Sequence, residues 1–209
     1  RMNISNHSVV LITGASRGIG AAAARAFAER GAAVGLFARS ADAVHALADE
    51  IREQGGRALA LAGDVGRYGD LADAVGQCRD TYGRLDVLIN NAAVIDPIAR
   101  LDESDTDAWG QAIDINVKGV YYGIHAALPT MLRQGAGAII NISSGAANNA
   151  LEGWSAYCAS KAAVLSLTKS VYLEYASRGV RAVGLSPGTV ATEMQVAIRQ
   201  SGVNPISQL

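Results

Sequence analysis

The stretch "SVVLITGASRGIGAAAARAFAERG", residues 8–31, joins a short apolar run to a glycine-rich turn and then to an alanine-rich segment. The apolar run shows no alternation of polar and apolar residues, which predicts a strand buried on both faces. The turn carries Gly14, Gly18 and Gly20, and the residues near 18–30 predict a helix. A strand that leads through a glycine turn into a helix is typical of a parallel sheet covered by helices.

The rest of the chain repeats this alternation of short apolar runs and longer amphipathic segments. The predicted strands are 8–13, 32–38, 58–63, 85–90, 137–143 and 180–186. The predicted helices lie near 18–30, 41–54, 67–81, 104–133 and 155–177. The pattern predicts an α/β fold, a doubly wound parallel sheet (Rossmann fold) that forms a single domain over residues 1–209.

The composition argues against several classes of protein. With a net charge of −1 and 18% charged residues, nothing in the composition suggests a protein that binds nucleic acid or an anionic membrane. No apolar run approaches the length of a membrane span. Two cysteines are too few for a disulfide framework, so a reducing, cytoplasmic setting is expected. The three histidines lack metal-ligand spacing, and no metal site is predicted.

The glycine loop, residues 13–20, points to a dinucleotide cofactor. Glycine allows positive φ in a tight turn and close approach to a pyrophosphate, and the helix N-terminus behind it attracts negative charge. A plain strand-to-helix turn is the alternative, but the position directly after the first buried strand favours the cofactor. The loop residues expected to contact the cofactor are Gly14, Ser16, Arg17, Gly18, Ile19 and Gly20.

The end of the second strand indicates which dinucleotide binds. An acidic residue there would hold the adenosine ribose of NAD, whereas this chain has Ala38, Arg39 and Ser40. Arg39 and Ser40 are therefore predicted to hold the 2′-phosphate of NADP, with Arg17 approaching from the glycine loop. NAD is the alternative, in which both arginines are solvated surface charges.

Three later strand ends supply the other predicted cofactor contacts, because ligands of open α/β sheets bind at the carboxyl ends of the strands. These residues are Asp64, Val65, Asn91, Ala92, Ala93, Pro187, Gly188, Val190 and Thr192. The carboxylate of Asp64 is expected to accept the adenine amino group. Asn90 is the weaker candidate, because asparagines at strand ends often only fix turns.

Tyr157 and Lys161 lie four positions apart in a predicted helix, so their side chains share one helix face. Taken alone, this spacing also fits two ordinary residues. Ser144, after the fifth strand, and Asn116, after the fourth, are predicted to lie beside the pair. A nearby lysine ammonium, helped by the cationic nicotinamide in the oxidised complex, favours phenolate, so we expect a lowered tyrosine pKa. Trp154 is expected either to line the substrate pocket or to pack at the surface.

Together these features resemble the short-chain dehydrogenase/reductase family, in its compact single-domain branch with 3-oxoacyl reductase-like members. The resemblance covers about residues 8–194 and rests on TGASRGIG, NNAA, INVKG, Ser144, Tyr157-x-x-x-Lys161 and Pro187-Gly188. It implies an NAD(P)-dependent oxidoreductase that transfers a hydride between nicotinamide and a ketone, an aldehyde or a secondary alcohol.

The resemblance also implies a role for each residue of the catalytic region, 116–161. Tyr157 would act as the general acid/base on the substrate oxygen, and Ser144 would hydrogen-bond that oxygen. Lys161 would hold the nicotinamide ribose, and Asn116 would position a water that links Lys161 to solvent.

The family further implies a homodimer or homotetramer and a substrate lid over residues 192–201. Its members commonly continue through another helix and a seventh strand. This sequence stops at Leu209, so we expect either a truncated chain or a sheet without that edge strand. The reaction direction stays open, and so does the substrate, among ketones, polyols, steroids and acyl thioesters.

Two other functions stay open at this point. One is a catalytically silent NADP-binding redox sensor, which would need only the cofactor half of the site. The other is an isomerase or dehydratase that uses the nucleotide transiently, although its relatives generally carry a larger second lobe.

Overall fold

The computed structural model describes residues 5–203 and contains one six-stranded parallel sheet in the order β3-β2-β1-β4-β5-β6. The strands are β1 (Val9–Thr13), β2 (Ala33–Ala38), β3 (Arg57–Ala62), β4 (Val87–Asn90), β5 (Gly137–Ile142) and β6 (Val180–Leu185). This is the strand order of the Rossmann fold, so the predicted doubly wound sheet is confirmed.

Seven α-helices are described between and after these strands. They are α1 (Gly18–Glu29), α2 (Ala41–Glu53), α3 (Tyr68–Tyr82), α4 (Thr106–Ile113), α5 (Gly119–Gln134), α6 (Ser155–Tyr175) and α7 (Glu193–Ser201). The single helix expected near 104–133 is instead α4 and α5 joined by a π-helical turn, Asp114–Lys118. Helix α7 occupies most of the predicted lid. None of the helices in residues 5–203 is long and apolar enough to cross a membrane.

Alternate residues of β1 enter two separate apolar layers. Val9 and Leu11 pack with residues of α3, α5 and α6, whereas Val10 and Ile12 pack with residues of α1 and α2. Both faces of the strand are therefore covered, which is why its sequence is apolar throughout. Leu11 aligns with Gly35 of β2, where an added Cβ would lie 2.6 Å from the Cys78 sulfur of α3.

The order of the strands reverses between β1 and β4, which are hydrogen-bonded neighbours. The chain leaves these two strands in opposite directions, so their carboxyl ends border a crevice. The loops after β1, β2, β4 and β5 all open into this crevice.

Strand β6 pairs with β5 from Gly137↔Val180 to Ile142↔Leu185. Within residues 5–203 no strand pairs with its other side, where Val183 and Leu185 are exposed. The expectation of either a truncated chain or a sheet without a seventh strand, and the domain limits 1–209, remain predictions.

Candidate active site

A cavity of about 850 Å³ lies at the carboxyl ends of the strands and extends beneath α7. All but two of the residues predicted from the sequence to form the site line it. They are Gly14, Ser16, Arg17, Gly18, Ile19, Arg39, Ser40, Asp64, Val65, Asn91, Ala92, Ala93, Ser144, Tyr157, Lys161, Pro187, Gly188, Val190 and Thr192. The two that do not line it are Gly20 and Asn116.

Gly20 shapes the glycine loop from behind. A Cβ on Gly20 would lie 2.3 Å from the Gly14 carbonyl oxygen and 2.7 Å from Nδ2 of Asn91. A Cβ on Gly14 would lie 2.8 Å from the Ala92 Cα, at a φ of +65°. The two glycines thus let α1 and the loop after β4 meet, and their bare backbone leaves a cradle of the kind that accepts a pyrophosphate.

Thr13, which sequence reasoning missed, ties the glycine loop to the loop after β4. Its Oγ1 accepts hydrogen bonds from the backbone N–H groups of Asn91 (3.0 Å) and Ala92 (3.1 Å). The Asn91 Nδ2 donates in return to the carbonyl oxygens of Thr13 (3.0 Å) and Gly14 (3.1 Å). A threonine directly before the first glycine is the signal that would have pointed to this connection.

Charged and polar side chains border the end of the cavity near β2 and β3. Arg39 lies exposed after β2, and Ser40 accepts a hydrogen bond from the Ala43 N–H (3.4 Å) at the start of α2. The Asp64 carboxylate accepts from the Gly66 N–H (2.9 Å) and so shapes the loop after β3. A guanidinium beside a helix N-terminus suits a phosphate group.

Tyr157 and Lys161 lie one turn apart on α6, and both are more than nine-tenths buried. The Lys161 Nζ donates to the carbonyl oxygen of Ile142 (2.7 Å), the last residue of β5, and lies 5.4 Å from the centre of the Tyr157 ring. Ser144 follows β5 and hydrogen-bonds Tyr157. The structure therefore brings three of the four predicted catalytic side chains together at one end of the cavity.

Burial has the largest effect on the pKa values of Tyr157 and Lys161. It raises the pKa of Tyr157 above its ordinary value, although the hydrogen bond from Ser144 acts in the opposite direction. Burial also lowers the pKa of Lys161 to about 8. In the protein without cofactor the Tyr157 pKa is therefore raised, not lowered, because desolvation of the phenol outweighs the hydrogen bond with Ser144. The lowered pKa expected in the complex with oxidised nicotinamide stays a prediction.

Asn116 lies at the centre of the π-helical turn and only 2% of it is exposed. Its Nδ2 donates to the carbonyl oxygen of Val94 (2.8 Å) and to Oγ of Ser160 (3.1 Å), and its Oδ1 accepts from the Val94 N–H (2.8 Å). The Ser160 hydroxyl donates to the carbonyl oxygen of Tyr157 (2.8 Å). Asn116 therefore links the loop after β4 to α6 from behind the cavity, and Val94 and Ser160 join the site as residues that sequence reasoning missed.

The wall beside Tyr157 is apolar. Tyr157 clusters with Ile95, Ala146, Trp154 and Ile198. The Trp154 ring meets the Tyr157 ring edge-on, with 5.9 Å between the ring centres. Of the two sequence interpretations of Trp154, the structure supports the one in which it lines the pocket. Ile95 and Ile198 come from distant segments and carry no local sequence signal.

Comparison with known proteins agrees with this architecture. Residues 8–202 match the family model described as short chain dehydrogenase. Oxidoreductase UcpA of Salmonella typhimurium is 42% identical over 193 residues, which cover 91% of this chain and 73% of the relative. The 3-oxoacyl-[acyl-carrier-protein] reductase FabG of Staphylococcus aureus is 39% identical over 193 residues, covering 90% of this chain and 76% of the relative.

Among solved structures, a gluconate 5-dehydrogenase from Burkholderia cenocepacia, in complex with NADP and tartrate, superposes with a TM-score of 0.86. It is 34% identical, and the match covers 91% of this chain and 74% of the other. The family model spans nearly the whole chain, and the relatives match over most of their own length. The protein belongs to the short-chain dehydrogenase family.

Proposed function

We propose that the protein is an NADPH-preferring oxidoreductase that interconverts a ketone or aldehyde and the corresponding alcohol, with Tyr157 as the general acid/base. The observation that carries this proposal is the placement of Tyr157, Ser144 and Lys161 at one end of a single cavity whose other end is bordered by Arg39. When bound, the nicotinamide supplies the hydride chemistry.

The chain's own residues are suited to hold the dinucleotide. The cradle at Gly14 and the N-terminus of α1 fit the pyrophosphate, because backbone donors and partial positive charge converge there. Arg39, with Ser40 and Arg17 nearby, fits the 2′-phosphate of NADP, and no acidic side chain follows β2 to favour NAD instead. Asp64 and Val65 border the adenine end. The nicotinamide end is bordered by Asn91, Ala92, Ala93, Pro187, Gly188, Val190 and Thr192.

The catalytic residues have different roles at the substrate oxygen. Tyr157 gives its phenolic proton to the carbonyl oxygen during reduction and removes the alcohol proton during oxidation. Ser144 donates a hydrogen bond to the same oxygen and stabilises its developing negative charge. Lys161 would hold the nicotinamide ribose, as the family resemblance implies. Its ammonium favours the phenolate in the oxidation direction, against the effect of burial.

Asn116 does not line the cavity but supports residues that do. Its side chain holds both backbone groups of Val94 and, through Ser160, the backbone of Tyr157. This arrangement supports a positioning role, and the family resemblance adds a water held near Lys161 for reprotonation. A silent redox sensor would need only the residues that bind the cofactor, so the complete set of Asn116, Ser144, Tyr157 and Lys161 favours the enzyme over the sensor.

We further propose a cytoplasmic homodimer or homotetramer. The faces of α3 and α5 carry an aromatic cluster of Tyr68, Tyr121, Tyr122 and His125, with ring centres 5.4 to 5.8 Å apart. Tyr68 and Tyr121 are exposed, so a second copy would cover apolar surface there. A monomeric mass in solution, measured by light scattering, would overturn this assignment.

The experiment that tests the function is a titration of the purified protein with NADPH and NADH, followed by a panel of ketones and aldehydes. We expect tighter binding of NADPH and loss of reduced-nicotinamide absorbance that depends on the substrate. Binding without turnover across a broad panel would favour the sensor. Equal catalytic efficiency with both cofactors would overturn the preference for NADP.

A further inference from the structure

The indole N–H of Trp154 is a buried donor without an acceptor. Within residues 5–203, three buried side-chain polar atoms lack a hydrogen-bond partner: Asn90 Oδ1, Ser104 Oγ and Trp154 Nε1. Trp154 is the one of these three residues that lines the cavity. An indole nitrogen can only donate, so no rearrangement of its own proton can satisfy it.

The surroundings of Trp154 make this arrangement costly. The residue is 6% exposed and belongs to the apolar cluster of Ile95, Ala146, Tyr157 and Ile198. A buried donor that finds no acceptor has lost its bond to water without replacement. Such groups in a native fold call for an explanation, and a ligand that brings the missing acceptor is one.

The other tryptophan of the chain shows the contrast. The Trp109 indole nitrogen donates to Oγ of Ser155 at 3.1 Å, and Trp109 does not line the cavity. Trp109 bonds the first residue of α6, and Trp154 directly precedes that residue, but only the indole next to Tyr157 is left unpaired. The unpaired donor therefore belongs to a residue that lines the cavity and contacts Tyr157.

We propose that Trp154 Nε1 donates a hydrogen bond to a second oxygen of the substrate and so determines specificity. The proposal rests on the proposed function for the position of the reacting carbonyl at Tyr157. With 5.9 Å between the two ring centres, one small substrate molecule can reach both side chains. The substrate is thus a compact, mainly apolar ketone or alcohol that carries an ether or carbonyl acceptor a few bonds from the reacting carbon.

Helix α7 forms the cover that such a substrate would displace. Ile198 is part of the cluster around Trp154, and Met194 packs against it. Both side chains are apolar and offer the indole no acceptor. The hydrogen bond to Trp154 would therefore form when the substrate replaces these α7 contacts.

The first test observes the donor directly. Protein labelled with nitrogen-15 at its two tryptophans gives two indole N–H resonances, which Trp109→Phe assigns. The NADP-saturated protein is titrated with cyclohexanone, tetrahydropyran-4-one and 1,4-cyclohexanedione, which share a ring but differ in the second oxygen. We expect the Trp154 resonance to move downfield with the two acceptor-bearing ketones and not with cyclohexanone, while Trp109 stays in place. The proposal would be overturned if the Trp154 resonance did not shift with any of the three ketones, or shifted equally with all of them.

The second test uses turnover with NADPH. We expect the wild type to prefer an acceptor-bearing ketone over cyclohexanone by about tenfold in kcat/KM, mostly through KM. Trp154→Phe should bring this ratio close to one, whereas Trp109→Phe should keep it. Persistence of the preference in Trp154→Phe would overturn the proposal. If the proposed function itself were wrong, no ketone would be reduced by either protein. The resonance test would still show whether the Trp154 indole binds an acceptor.

Discussion

Arg17 of the glycine loop forms an ion pair with Glu193, the first residue of α7. The arginine predicted to bind the cofactor phosphate is thus paired with the helix that covers the cavity. Both side chains are exposed, and neither is locked in place by burial. The carboxylate therefore competes with a cofactor phosphate for the same guanidinium. This contact could not be foreseen from the sequence, because the two residues lie far apart along the chain.

Glu193→Gln should tighten NADPH binding. The change removes a negative charge from the mouth of the cavity and frees Arg17 for the 2′-phosphate. Because exposed pairs are weak and screened by salt, we expect a gain of about two- to fivefold in NADPH affinity at low salt and little change for NADH. Fluorescence titration measures both. Asp80→Asn removes the same charge from the exposed pair that Asp80 forms with Arg79 on α3 and should change neither affinity. Equal gains for both cofactors would contradict a role of Arg17 at the 2′-phosphate.

Tyr157→Phe should remove turnover while leaving cofactor binding close to normal. Loss of a positioned general acid lowers rates by roughly 10²–10⁴-fold. Tyr172→Phe is the matched control, because Tyr172 lies exposed on the same helix. Turnover is followed by reduced-nicotinamide absorbance and binding by fluorescence. Near-normal kcat in Tyr157→Phe would refute the assignment of the proton donor.

Gly20→Ala should weaken both the fold and cofactor binding. The added methyl group would meet the Gly14 carbonyl oxygen at 2.3 Å and force α1 away from the loop after β4. We expect a loss of about 1–3 kcal/mol in the free energy of unfolding, measured with urea, together with weaker NADPH binding. Gly110→Ala on α4 is the control, because nothing lies within 4 Å of the added Cβ. This change should stabilise the protein by up to about 1 kcal/mol. A Gly20→Ala variant as stable as the wild type would contradict this expectation and show that the glycine loop can move to accommodate the methyl group.

The sheet and most of the cavity could be predicted from the sequence because their signals are local. The strands are apolar nearly throughout, and ligands of open α/β sheets bind at the carboxyl ends of the strands. Thr13 was missed because its bonds to the loop after β4 depend on the neighbouring strand. Ile198 falls within the predicted lid, but its contact with the cluster around Trp154 and Tyr157 appears only in the folded protein.

The break in the helix at residues 114–118 has a tertiary cause. Local propensity favours one continuous helix there, but Asn116 bonds Val94 and Ser160 across the fold, and a π-helical turn accommodates these bonds. The raised pKa of Tyr157 in the protein without cofactor also has a tertiary cause. The spacing from Lys161 can be read from the sequence, whereas the burial of both groups appears only in the folded protein.

Lys161→Met should abolish activity but stabilise the fold at neutral pH. The folded protein holds the Lys161 pKa at about 8, below the value of 10.5 for a free lysine, because burial disfavours the ammonium. Methionine removes the buried charge at similar volume, although the Ile142 carbonyl loses its donor. We expect a gain of about 2 kcal/mol in the free energy of unfolding at pH 7, measured by urea denaturation.

The pH dependence of this gain provides the sharper test. Above pH 8 the unfolded wild type binds more protons at Lys161 than the folded protein does, so the wild type gains stability from this group as the pH rises towards 10.5. The methionine variant lacks this gain, so its advantage should be constant below pH 8 and shrink between pH 8 and 10.5. An advantage that stays constant up to pH 10.5, the value for a free lysine, would mean that Lys161 titrates normally in the folded protein and that burial does not disfavour its charge.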